Sequence, residues 1–176
     1  MPPSEQEKFI EELQLHFDSL YSYAWWITGG NEDAEDIVHD TVSRAIDHWE
    51  QFSAGTSMKA WLFTILKRTY FNRLRRSKIE VTSAKYPERE DRLPTQSKDR
   101  NPDRLPVGLV RRDIEAALSA LSEEHRSVVV LADVEGLALR EIAKIEDVPI
   151  GTVKSRLWRA RYDLKCKLID YEGSLE

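Results

Sequence analysis

From Gly151 to Arg161 the chain reads GTVKSRLWRAR, which sets Lys154, Arg156, Arg159 and Arg161 within about two helical turns. Cations at this density bind polyanions, because each phosphate they neutralise releases condensed counterions. Val153, Leu157, Ala160, Leu164 and Leu168 recur at helical spacing and form one apolar face. Ser155, Trp158, Arg159 and Tyr162 share another side. A helix of this kind has one face to bury and one to offer. Lys154, Arg156 and Arg161 suit phosphate or groove-edge contacts, which carry no sequence information. Ser155, Trp158 and Arg159 stand where side chains meet base edges in a major groove, arginine preferring guanine. Trp158 stays open between a groove contact and a packing residue at the domain edge. Thr152 is the expected N-cap, its hydroxyl accepting a free amide of the first turn.

A recognition helix must be held by a partner, and the preceding residues supply one. Ala138 to Glu146 reads as a helix with Leu139, Ile142 and Ala143 inward. Ala143 is small enough for two helices to cross there, and Val153 packs back from the second. Four positions after Ala143, the turn needs a residue that tolerates positive φ, and Asp147 is among those that do. Crossing, turn and charge agree on a helix-turn-helix; the alternative is an ordinary helical hairpin with a solvated basic face. Upstream, Ile114, Leu118 and Leu121 give a short helix. Ser122-Glu123-Glu124 then caps another through Val128, Val129, Leu131, Ala132 and Val134, which Gly136 ends.

The rest of the chain separates its charges. Net charge is -5, yet the basic recognition stretch has an acidic counterpart between Asn31 and Glu50. There Ala34, Ile37, Val38, Thr41, Val42, Ala45, Ile46 and Trp49 make an apolar face, opposite Glu35, Asp36, His39, Asp40, Arg44 and Asp47. A coherent acidic patch on a complete helix can dock on a basic partner, although such a run is more often a solvated face. A third helix, expected over 60–76, buries Trp61, Leu62, Ile65, Leu66 and Thr69 and ends in FNRLRR. Its cations with Tyr70 and Phe71 suit a nucleic-acid strand, cations following phosphates and aromatics stacking on unpaired bases; Trp61 reads better as core. Before these lies a helix marked by Phe9, Leu13, Phe17, Leu20, Tyr21 and Ala24, running to about Ile27 and closed by Gly29-Gly30.

Composition bounds the fold. The 176 residues are 41% hydrophobic and 32% charged, with only 7 Gly and 7 Pro, which fits a charge-rich helical protein. The lone Cys166 excludes an internal disulfide, fits a reducing compartment, and sits within the last amphipathic helix as a structural residue. His16, His39, His48 and His125 lack metal-ligand spacing. There is no phosphate loop, nucleophile motif or cofactor signature, no signal peptide, and no apolar run that spans a membrane. Residues 78–108 carry Pro87, Pro94, Pro102 and Pro106 among mixed charges, without helical period. The expected organisation is all-α: two small helical domains, 1–77 and 109–176, joined by a flexible linker, the second a helix-turn-helix. No enzyme, metal or cofactor is expected, and the chain is read as cytoplasmic.

These motifs, in this order, resemble bacterial RNA polymerase sigma factors of the extracytoplasmic-function group. DAEDIVHDT (33–41) is similar to the family's polymerase-clamp-binding helix, AWLFTILKRTYFNRLRR (60–76) to its −10 helix, and 131–161 to its −35-reading helix-turn-helix. Departures are His39 where Gln is usual, Val42 for an aromatic or Leu, Arg68 for Asn, and Glu146-Asp147 for Leu-Gly. The resemblance implies a non-enzymatic initiation subunit, monomeric when free. Asp33, Glu35, Asp36, His39 and Asp40 would dock on the clamp helices of core RNA polymerase, and the second domain on its flap. Thr152, Lys154, Ser155, Arg156, Trp158 and Arg159 would meet the −35 element of promoter DNA. The −10 strand would fall to Phe52, Ser53, Gly55 and Thr56 of a loop, with Lys67, Arg68, Asn72, Arg75 and Arg76. A dedicated anti-sigma protein would cover the same surfaces. Two other readings account for less: a stand-alone helix-turn-helix regulator leaves the acidic and FNRLRR helices without a role, and a sigma-like decoy has no reason to keep its basic contacts.

Overall fold

The computed structural model describes residues 5–53, 55–83 and 107–172. Among them every regular element is helical, as the composition and periodicity predict. The chain divides into two compact units, one built on the first four helices together with Lys144–Asp147, and one on the remainder of the last four helices.

In the first unit, α1 (Glu5–Gln14) and α2 (Phe17–Thr28) replace the single helix expected to Ile27. The break is at Leu15 and His16, whose amides bond back to Glu12 and Leu13 in a tightened turn. Leu15 is left 80% exposed. Nothing in the side-chain period marks this break, because Leu13 and Leu20 are seven apart and remain in phase on either side. Gly29, at φ 77, ends α2 in the left-handed conformation that a Cβ disfavours. Its amide donates to the Trp25 carbonyl. Then α3 (Asn31–Asp47) follows as expected. Ala34, Ile37, Thr41 and Ala45 are buried, and the Thr41 hydroxyl is satisfied by the Ile37 carbonyl at 2.7 Å. A short 3-10 turn, Trp49–Gln51, leads to the loop before α4 (Met58–Ser83). That helix begins two residues earlier than expected, because the Ser57 hydroxyl accepts the Ala60 amide as its N-cap. It also continues past Arg76 into the stretch assigned to the linker.

Leu62, Phe63 and Leu66 of α4 are fully buried with Leu20 and Tyr23 of α2 and Ile37 of α3. The Tyr23 and Phe63 rings meet edge to face at 5.1 Å. A second aromatic group brings Phe9, Trp49, Phe52 and Trp61 together, with ring centroids 5.6–6.3 Å apart. Trp61 is thus a packing residue, as expected.

In the second unit, α5 (Val107–Ser119) starts before the expected boundary and buries Ala117 and Leu118, whereas Ile114 is 42% exposed. Ser122 caps α6 (Glu123–Val129) by accepting the His125 amide. The helix expected through Val134 then widens into a π-helical turn, Val130–Val134, where the Glu135 amide reaches back to the Val130 carbonyl. The extra residue per turn swings Val134 outward, to 58% exposure, so it is not the inward residue its spacing implies. Gly136, at φ 70, ends the segment. The pair α7 (Leu139–Glu146) and α8 (Ile150–Glu172) is the helix-turn-helix. Asp147 has φ 53, the one positive value among described non-glycine residues, as the turn required. The linker residues 84–106 lie outside the described residues.

Candidate nucleic-acid interface

Along α8 the first part of the predicted apolar face is buried, with Val153, Leu157 and Ala160 all below 7% exposure, while Leu164 and Leu168 farther along are half-buried. Ile142 of α7 is fully buried with them. Thr152 is not the N-cap. The helix begins at Ile150, and the amides of Thr152 and Val153 both reach the Pro149 carbonyl, placing Thr152 in the first turn. Proline is suited to this start, since its fixed φ is already near the helical value.

The face opposite the buried stripe is open. Ser155, Trp158, Arg159 and Tyr162 are exposed, as is Lys154 on its flank. Trp158, 68% exposed, lies parallel to Tyr162 with centroids 5.7 Å apart and planes at 12°. It is no wedge in the core, its ring stacking on Tyr162 at the surface instead. Lys154 and Arg159 take part in no ion pair among the described residues. The other two cations do. Arg156 meets Glu124 at 2.8 Å, and Arg161 makes a two-pronged contact with Asp133 at 2.6 and 3.0 Å. Their partners lie 28 and 32 positions away, beyond any spacing rule. Cys166 is exposed rather than packed.

On the first unit, Asp33, Glu35, Asp36, His39 and Asp40 are all exposed on one side of α3. Asp36 meets Arg73 of α4 at 2.8 Å. The loop before α4 holds Ser53, Gly55 and Thr56 exposed. It is closed by the Thr56 amide and hydroxyl, which both donate to the Ser53 carbonyl, and by Gly55 at φ 88. Phe52 belongs to the aromatic group instead of facing outward. Arg68, Asn72, Arg75 and Arg76 make an exposed strip along α4, while Lys67 is buried with its ammonium 5.0 Å from the Phe71 ring. Phe71 itself is 48% exposed on that strip. Among the described residues no group of His, Cys, Asp and Glu is arranged for a metal, and no helix is long and apolar enough to cross a membrane.

Residues 13–79 match the family described as Sigma-70 region 2, and residues 111–164 that described as Sigma-70, region 4. The chain is 33% identical over 88% of its length to the ECF RNA polymerase sigma factor SigE of Mycolicibacterium smegmatis, and spans 59% of that protein. It is 30% identical to the ECF RNA polymerase sigma factor EcfG of Rhodopseudomonas palustris, over 90% of this chain and 83% of that one. Among solved structures, the sigma factor RpoE from Bartonella quintana, in complex with the anti-sigma factor NepR, is similar at 31% identity. Its TM-score is 0.72, with 92% of this chain and 96% of that one covered.

Proposed function

The chain belongs to the sigma-70 family, in its extracytoplasmic-function group, and from that premise we propose how its surfaces divide the work of starting transcription. It is a promoter-directed initiation factor; its family is one of initiation factors rather than enzymes. Residues 1–77 are its region 2 and 109–176 its region 4, with 78–108 between them. Asp33, Glu35, Asp36, His39 and Asp40 form the face that docks on core RNA polymerase. Their carboxylates suit a basic partner, and the opposite side of the helix is anchored by the buried Ala34, Ile37, Thr41 and Ala45. Ser53, Gly55 and Thr56 with Arg68, Asn72, Arg75 and Arg76 take the −10 strand, and Lys67 and Phe52 support them from within. Thr152, Lys154, Ser155, Trp158 and Arg159 enter the −35 major groove, and Arg156, tied to Glu124, lies beside them. The factor works in the cytoplasm, and an anti-sigma protein that covers these faces, as NepR accompanies the similar RpoE, would silence it.

The observation that carries this reading is the exposed face of α8. Ser155, Trp158 and Arg159 stand opposite the buried Val153, Leu157 and Ala160, so the side chains able to read bases are the ones the fold leaves exposed. Footprinting tests it. Added to core polymerase, the chain should protect two separated boxes of a cognate promoter. Strong protection of a single box without polymerase would favour a stand-alone regulator.

A further inference from the structure

Arg156 and Arg161 have the composition of DNA contacts but not the geometry of free cations. Each guanidinium is held by a carboxylate from an earlier element of the same unit: Arg156 by Glu124 at the start of α6, Arg161 by Asp133 in the π-helical turn. At about 100° per residue, the two arginines fall roughly 70° to either side of the buried Val153–Leu157–Ala160 stripe. Ser155, Trp158, Arg159 and Tyr162 lie on the far side of the helix, midway between them. Two lateral ties that flank a buried stripe oppose rotation of α8 about its own axis in both directions.

Stability does not explain the pairs. The side chains are 20% and 65% exposed in one pair, 58% and 39% in the other, and surface pairs of this kind contribute about 1 kcal/mol or less. Orientation is another matter. The fork of Arg161 on both Asp133 oxygens fixes a plane and a direction, which a single point contact does not. The π-helical turn is what brings Asp133 to that position, since a regular helix would place it at a different angle around the axis.

We propose that Glu124 and Asp133 are positioning residues that set the roll of α8, and through it which side chains meet the −35 base edges. They also withhold two arginines from the phosphates. The inference rests on the −35 reading of α8 given above. Of the four cations at 154–161, Lys154 is then left for the phosphates and Arg159 for the base edges, and discrimination between sequences gains because the sequence-independent contacts are fewer.

Salt dependence of promoter binding tests this with the full chain reconstituted on core polymerase, using cognate DNA and the same DNA with a scrambled −35 box. Asp133→Asn and Glu124→Gln each free one arginine. Either should steepen the plot of log affinity against log salt by about 0.9 and cut discrimination several-fold. Arg161→Ala should leave the slope unaltered while discrimination falls. The double variant Asp133→Asn/Arg161→Ala should return the slope to that of the unaltered protein, with discrimination still low. A slope shallower by about 0.9 in Arg161→Ala, with none gained in Asp133→Asn, would make Arg161 a phosphate contact and overturn the proposal. Arg159→Ala separates the two levels of the argument. If it changes neither slope nor discrimination, α8 is not the −35 reader, and it is that reading which fails.

Discussion

Arg159 is the side chain on which discrimination by α8 should depend most. It is exposed, engaged in no ion pair among the described residues, and placed on the face opposite the buried stripe. Arg159→Ala should cost about 1–3 kcal/mol at one −35 base pair and relax preference at that position alone, as binding to single-base variants of the box would report. An equal loss on every sequence would instead make it a phosphate contact. At His16, burial and then the nearby Lys59 hold the imidazole pKa below its usual 6.5, against the opposing pull of Glu12. The folded chain therefore binds fewer protons there than the unfolded one. Its contribution is complete above about 6.5 and is lost as pH falls below that toward the folded value. Urea midpoints measured near pH 7.5 and near pH 5.5 should converge in His16→Gln relative to the unaltered chain; an undiminished difference would contradict this. Residue types and spacing made Asp147 legible, because a turn of that length needs a positive φ and few side chains accept it. They did not settle Trp158, since a helical period assigns a side and not an exposure. They also missed the ties of Arg156 and Arg161, whose partners lie too far along the chain for spacing to reveal.

At the scale of elements, periodicity was a good guide where one helix packs one face, and a poor one where the backbone departs from a regular helix. Of the apolar set of α3, Ala34, Ile37, Thr41 and Ala45 are buried and Val38, Val42, Ile46 and Trp49 half-buried, and its exposed acids are the ones the pattern isolates. The break between α1 and α2 and the π-helical turn at Val130–Val134 left no mark, because neither contains a Gly or Pro to punctuate the pattern. The Asp147 turn makes the first element-level prediction. Asp147→Val places a β-branched side chain at φ 53 and should lower stability by about 1–2 kcal/mol in urea unfolding. Asp147→Gly should stay within about 0.5 kcal/mol of the unaltered protein, its backbone relief offset by unfolded-state entropy. An undiminished Asp147→Val would mean that the turn is set elsewhere. The acidic face of α3 makes the second. Asp36→Lys/Asp40→Lys should abolish association with core polymerase in a pull-down while leaving helicity by circular dichroism unchanged, because both carboxylates are exposed. Retained association would remove α3 as the docking face.

For the whole molecule, charge distribution says more than net charge. A chain of -5 would be a poor ligand for DNA if its charges were mixed. Here the acids of α3 and the cations of α4 and α8 lie on different helices, the separation that the proposed division between polymerase and promoter uses. Linked contacts raise the effective concentration of one another, so each DNA-binding surface can be weak alone and specific in company. The central claim, that this chain directs core polymerase to promoters, is tested most directly by transcription from a library of randomised promoters with core RNA polymerase, with and without the protein added. The account predicts that the protein confers transcripts from a subset of templates sharing two short boxes, one near −35 and one near −10. Transcription that is equally unselective with and without it, or no promoter-dependent transcript from any template, would contradict it.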